Sequence, residues 1–228
     1  EDEFYYWFRL KKEAQIIIQD QDYENGIKFI DSKFSRIEKP NTKMIFDLAN
    51  FYKNSKNYKK AIDLYTQIIL TLDDTSPIKS DVLYRRGGSY ERMGNYKRAD
   101  EDLLHAIRID PTDAYTLNYL AYSWLERDYK IKEAMEMLKT AYDLKSNDPY
   151  IIDSIGWAYF LIEDYVEAEK YLKRAVELMP DDPIVNDHYG DILWKLNRKI
   201  QARYFWNNVL TFDDTEDDMI EKINIKVI

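Results

Sequence analysis

The chain repeats itself about every 34 residues, and no other feature constrains its fold so strongly. Pro149 to Asp182 and Pro183 to Glu216 share their punctuation when laid over one another. Ile155-Gly156, Tyr159, Ala168, Leu172, Ala175 and Pro180 fall over Tyr189-Gly190, Leu193, Ala202, Trp206, Val209 and Asp214. A period of this length means helical units that stack as a solenoid, each touching only its neighbours. It points to a binding scaffold and away from an enzyme pocket. The units run 7–41, 42–79, 80–113, 114–148, 149–182 and 183–216, with 217–228 as the start of a further helix. The first unit is degenerate and carries Leu10, Ala14, Ile17, Tyr23, Gly26 and Ile30. Unit 114–148 has an extra residue in its turn, around Asp128 to Ile131.

Each unit reads as two amphipathic helices, A and B, because the apolar residues of helix A recur at i, i+3, i+4 and i+7. Position 8 of the unit is always small: Ala49, Gly87, Ala121, Gly156 or Gly190. So is its partner on helix B: Ala61, Ala99, Ala134, Ala168 or Ala202. Small residues at both places let the two helices cross closely. Asn95-Tyr96 and Asp164-Tyr165 mark the turn within a unit, and Pro111 and Pro180 mark the exit, where a helix cannot continue. The offsets of aromatic, Leu-Gly, Tyr, Ala, aromatic, Ala and Pro resemble the tetratricopeptide repeat over nearly the whole chain. The resemblance implies an all-α fold: one right-handed α-solenoid of about six helix-turn-helix repeats with a partial C-terminal helix.

Composition narrows the function. A formal charge of −9 argues against nucleic acid, whose binding rests on Lys and Arg neutralising phosphates. The absence of cysteine removes disulfides, thiol catalysis and thiolate metal sites. No apolar run approaches the roughly 18 residues of a membrane span. No phosphate loop, nucleophile elbow or zinc motif is present, so neither catalysis nor a cofactor or metal is expected. The acidic run Asp213 to Asp218 lacks the glycine and closing glutamate of a calcium loop, and reads as the start of a terminal helix. The chain opens without an initiator Met inside a helix-like pattern, Phe4 to Ile18, and reads as an excised fragment. A signal peptide or lipid anchor upstream therefore stays open.

Function is expected on the face of helix A turned away from helix B. The candidates there are Tyr84, Arg85, Asn118, Tyr119, Tyr122, Asp153, Trp157, Phe160, Asp187, His188, Asp191 and Trp194. They make an aromatic groove with an acidic floor. Trp157 and Trp194 either meet a partner or pack against a neighbouring unit or a C-terminal helix. Asp153 and Asp187 hold the same position in successive units. Unpaired, they favour a basic side chain or an amino terminus, and the alternative is a solvated pair. His188 is expected to make a groove hydrogen bond rather than to bind a metal with Asp187 and Asp191. Repeats that clamp the carboxy-terminal acid of cytosolic heat-shock chaperones need a Lys and Asn set across three consecutive units. Only Arg85 matches in part, so that clamp is excluded.

A narrower resemblance rests on Leu117-Asn118-Tyr119-Leu120-Ala121-Tyr122-Ser123, Asp153-Ser154-Ile155-Gly156-Trp157, Asp187-His188-Tyr189-Gly190-Asp191-Ile192-Leu193-Trp194, Ala202-Arg203 and Trp206. These are similar to a bacterial family of exported multi-repeat proteins. That family includes outer-membrane lipoproteins acting as adaptors of carboxy-terminal processing proteases. The resemblance spans about residues 114–210. It implies a protein partner, an envelope protease or its substrates, on the periplasmic side, with the cytoplasm as the alternative. Two other readings stay open: a self-assembling element that stacks through its ends, and a regulatory repeat region of a larger protein.

Overall fold

The computed structural model describes residues 3–213 and 215–227. Asp214, which belongs to the acidic run and falls over Pro180 in the repeat, lies outside the described residues. The described secondary structure consists of thirteen α-helices and no strand. They divide into two compact units, residues 1–111 and 112–228.

The first unit contains α1 (Glu3–Asp20), α2 (Tyr23–Phe34), α3 (Thr42–Asn54), α4 (Tyr58–Ile69), α5 (Pro77–Arg92) and α6 (Tyr96–Ile109). Its core gathers Trp7, Leu10, Ile30, Met44, Leu48 and Tyr65. The second unit contains α7 (Ala114–Glu126), α8 (Ile131–Leu144), α9 (Pro149–Leu161), α10 (Tyr165–Leu178), α11 (Pro183–Lys195), α12 (Lys199–Val209) and α13 (Asp217–Val227). Its core joins Ile152, Leu172, Val185, Tyr189 and Trp206 to Ile223 of α13. The terminal helix expected from the sequence is therefore formed and packed. The odd-numbered helices α3 to α11 are the A helices.

Local chemistry sets these boundaries. The A helices of the second unit begin at Asp113, Asp148 and Asp182, whose carboxylates accept the first free N–H groups of α7, α9 and α11. Pro149 and Pro183 follow as first helical residues, where a missing N–H costs nothing. Each A helix ends in the same left-handed stop. Lys56, Gly94, Asp128, Glu163 and Asn197 all have positive φ. The N–H of the following residue then reaches back to a carbonyl of the last turn: Asn57 to Tyr52, Asn95 to Tyr90, Tyr129 to Trp124, Asp164 to Tyr159 and Arg198 to Leu193. Only Gly94 takes this conformation without steric cost. The extra residue in unit 114–148 gives that turn a second positive-φ position, Lys130.

The small-residue rule is a packing rule. Ala49, Ala61, Ala121, Ala134, Ala168 and Ala202 are fully buried. A methyl group added at Gly156 would lie 2.8 Å from Leu172 Cδ2 and 3.0 Å from the Leu172 backbone nitrogen. At Gly190 the added methyl would overlap the Trp206 ring. Because backbone blocks the way at Gly156, α9 and α10 must separate to admit a side chain. Gly156→Ala is expected to lose about 1–3 kcal/mol through overpacking, despite the better helix propensity of alanine. A lower denaturant midpoint at unchanged slope would show it, and an unchanged midpoint would mean the crossing has slack.

Candidate functional site

Tyr84 and Arg85 lie on α5 in the first unit. Tyr84 is half-buried. Arg85 is engaged within that unit: its Nε donates to Asp81 at 3.0 Å, its Nη1 lies 3.4 Å from Asn50 Oδ1, and its guanidinium sits 5.1 Å from the Phe46 ring centre. The other ten candidates lie on α7, α9 and α11 of the second unit.

The centre of that set is a buried ion pair. His188 Nδ1 lies 2.8 Å from Asp153 Oδ2, and the two residues are only 5% and 4% exposed. The repeat places them there, because Asp153 on α9 and His188 on α11 differ by one period plus one residue. Burial alone pulls the imidazole towards its neutral form. The Asp153 charge and hydrogen bond, with the charges of Asp187 and Asp191, outweigh it and push the His188 pKa up to about 9. His188 is thus an imidazolium at neutral pH. Trp157 lies flat between this cation and Phe160, with ring centres 4.1 Å from His188 and 4.6 Å from Phe160. Tyr122 closes the cluster 6.2 Å from the imidazole.

The rest of the acidic floor is filled by the chain itself. Lys226 Nζ of α13 donates to Asp187 Oδ1 at 2.6 Å and to Asp191 at 2.7 and 2.9 Å. Its ammonium lies 5.6 Å from the Trp206 ring centre. Burial, then the neighbouring Asp187 charge, raises the Asp191 pKa, and Lys226 opposes both. Trp194 packs on Trp206 at 5.4 Å, with Lys199 and Arg203 over its face.

One sequence expectation is thereby corrected. Asp153 and Asp187 are neither unpaired nor a solvated pair, because His188 and Lys226 neutralise them. His188 forms a hydrogen bond within the groove, and its partner is Asp153 on the preceding A helix. Of the two alternatives open for Trp157 and Trp194, both take packing, half-buried against neighbouring helices. Among the described residues no group of three His, Asp or Glu side chains could hold a metal ion, and no helix is long and apolar enough to cross a membrane.

What remains open on this face is a row the candidate set left out. Tyr115, Tyr150 and Ile184 occupy position 2 of successive A helices and are 46%, 55% and 45% exposed. Their shared offset on the open face of helix A is legible in the sequence, and the structure adds their exposure. Beside them lies a cavity of about 130 Å³ lined by Asn118, Tyr119, Tyr122, Tyr150, Asp153, Ser154 and Ile184, with Asp182 and Val185.

Comparison with known proteins places this geometry. The family model described as "Tetratricopeptide repeat" matches residues 12–211. Over 95 residues the chain is 32% identical to the TPR repeat-containing protein PA4667 of Pseudomonas aeruginosa, a match covering 42% of this chain and 16% of that protein. This chain therefore spans only a small part of that relative. Among solved structures, a tetratricopeptide repeat protein from Parabacteroides merdae superposes with a TM-score of 0.70 at 14% identity, covering 96% of this chain and 86% of its own. TTC0263, a thermophilic TPR protein of Thermus thermophilus, gives 0.67 at 17% identity, covering 82% of this chain and 99% of its own. The pilF structure of Pseudomonas aeruginosa gives 0.64 at 16% identity, covering 82% and 86%. At these identities the structural matches speak for the fold alone.

The ion pair gives the fold a pH signature. The folded pKa of His188 is raised above the unfolded value of about 6.5, so its contribution to stability is fully present below that pH. It declines as pH rises towards 9 and is lost above. The loss should reach about 3 kcal/mol at most. Denaturant midpoints of the wild type and of His188→Gln, taken from about pH 6 to pH 10, should converge as pH rises. A constant gap between them would mean that His188 is folded in its neutral form.

Proposed function

The chain belongs to the tetratricopeptide-repeat family, and from that premise we propose that it is a non-enzymatic scaffold holding a partner polypeptide against the A-helix face of α7, α9 and α11. Repeats of this family generally mediate protein–protein interaction. The observation that carries the choice of face is the exposed row of Tyr115, Tyr150 and Ile184. Large apolar side chains left wet at one offset in three successive repeats are characteristic of an interface. The partner would lie along this row, over the rim formed by Tyr119 and Tyr122. The buried cluster beneath would hold the platform rigid: Asp153, His188 and Trp157 fix α9 against α11, and Lys226 fixes α13 onto α11.

The finer reading is an adaptor in a bacterial envelope that brings a processing protease and its substrates together. It is supported by the resemblance of segments 117–123, 153–157 and 187–194 to exported repeat proteins.

Affinity capture from native cells with the wild type and with Tyr150→Ala/Ile184→Ser tests both levels. The two positions are exposed, so the variant should keep its melting temperature. Partners bound through this face should bind roughly tenfold or more weakly to the variant. An envelope protease or wall hydrolase among the lost proteins would support the adaptor. Equal retention of every partner would contradict the face. Recovery of the chain alone, with a mass that grows with concentration, would favour self-assembly.

A further inference from the structure

We infer that Asn50, Lys53 and Arg85, on the successive A helices α3 and α5 of the first unit, form a subsite for a doubly charged oxyanion of the phosphoryl class. The site lies outside the face proposed above and stands independently of it.

The repeat register builds it. Asn50 and Lys53 hold positions 9 and 12 of their repeat, and Arg85 and Arg92 hold positions 6 and 13 of the next. The same four places on α9 and α11 are Trp157, Phe160, His188 and Lys195. There Trp157 stacks on Phe160 and His188, and rings fill the interval. On α3 and α5 the corresponding side chains are hydrogen-bond donors.

Hydrogen bonds fix the direction of these donors. Asn50 Oδ1 accepts from the Tyr65 hydroxyl at 2.6 Å and from Arg85 Nη1 at 3.4 Å. A guanidinium only donates, so the amide oxygen of Asn50 faces it and Nδ2 points away with two N–H groups. Burial raises the Tyr65 pKa, so its hydroxyl stays protonated and holds that orientation. Arg85 uses Nε on Asp81 at 3.0 Å and Nη1 on Asn50, which leaves Nη2 without an acceptor. Lys53 is half-buried and makes no hydrogen bond or ion pair among the described residues. Asn50 Nδ2, Arg85 Nη2 and Lys53 Nζ are therefore open donors, and none of the three is sealed from solvent.

The electrostatics select an anion. Burial lowers the Lys53 pKa, and the charges of Arg85 and Arg92 lower it further, with Asp81 opposing them. Two arginines against one carboxylate make the field at Lys53 positive. The unit around the site does not repel an anion. Residues 1–111 hold nineteen Lys and Arg against nineteen Asp and Glu, so residues 112–228 carry the whole formal charge of −9. A phosphoryl group brings close to two negative charges and three acceptor oxygens, one for each open donor. A carboxylate brings one charge and two oxygens.

The probe is inorganic phosphate, titrated into the full chain at about pH 7.5 and low ionic strength and followed by amide and side-chain NMR. Acetate serves as the monoanion control. The expected result is saturable shifts at the Asn50 side-chain amide, Lys53 and Arg85, with phosphate bound roughly tenfold or more tightly than acetate. Lys53→Met should weaken binding by roughly fivefold or more. Asp81→Asn frees Arg85 Nε and removes the opposing charge, so it should tighten binding. Asp81 is exposed, so its variant keeps the test alive if the Lys53 variant fails to fold. A phosphoserine capped at both ends, bound more tightly than inorganic phosphate, would assign the group to a phosphorylated partner segment. The reverse order would assign it to the free ion, and either order keeps the subsite. Absence of saturation, shifts scattered over other surface lysines, equal affinity for acetate, or unchanged affinity in Lys53→Met would each overturn it.

Discussion

Everything in this structure follows from one steric constraint, the close crossing of helices A and B over a pair of small residues. At Gly156 there is no room for a methyl group against Leu172, and at Gly190 none against Trp206. Because the crossing point recurs at each repeat, successive A helices present the same offsets to the same side. A residue at position 2, 5 or 6 therefore meets its equivalents from neighbouring repeats. The buried ion pair between Asp153 and His188, the stack of Trp157 and the row of Tyr115, Tyr150 and Ile184 all arise from that register.

The same register explains how a strongly acidic surface is made compatible with packing. Asp153, Asp187 and Asp191 are drawn into one place, and repulsion between them raises the free energy of the folded chain. Two cations from elsewhere in the sequence offset it: the imidazolium of His188 and the ammonium of Lys226. Removing either partner would leave a charge uncompensated in a poorly solvated site. The cluster is best understood as the support of a surface, while the exposed aromatic and aliphatic row above it provides the contact.

The sequence made the repeat, the helix pairs and the small-residue crossings legible, because each is a local pattern with a fixed offset. Gly156 with Ala168 and Gly190 with Ala202 could be placed before any coordinates. The charges were harder to read. Asp153 looked free because its partner, His188, lies one period and one residue along, and only the stacking of repeats brings them together. Lys226 was invisible as a groove ligand, since nothing in an 11-residue helix announces where it docks. Trp157 and Trp194 sat at variable positions of the repeat, yet both rings found packing partners in neighbouring helices.

One competing surface is physically comparable. Val166 and Ile200, on the B helices α10 and α12, are also exposed apolar residues at one repeated offset, with Tyr204 nearby in sequence. The A-helix face is distinguished by the cavity that Tyr122, Tyr150 and Ile184 line beside its exposed row. A photo-reactive amino acid placed at Tyr150, and separately at Tyr204, in the protein expressed in its own cells would compare the two directly. Crosslinks to other polypeptides are expected from Tyr150 and none above background from Tyr204. Crosslinks from Tyr204 alone, or equally from both, would contradict it.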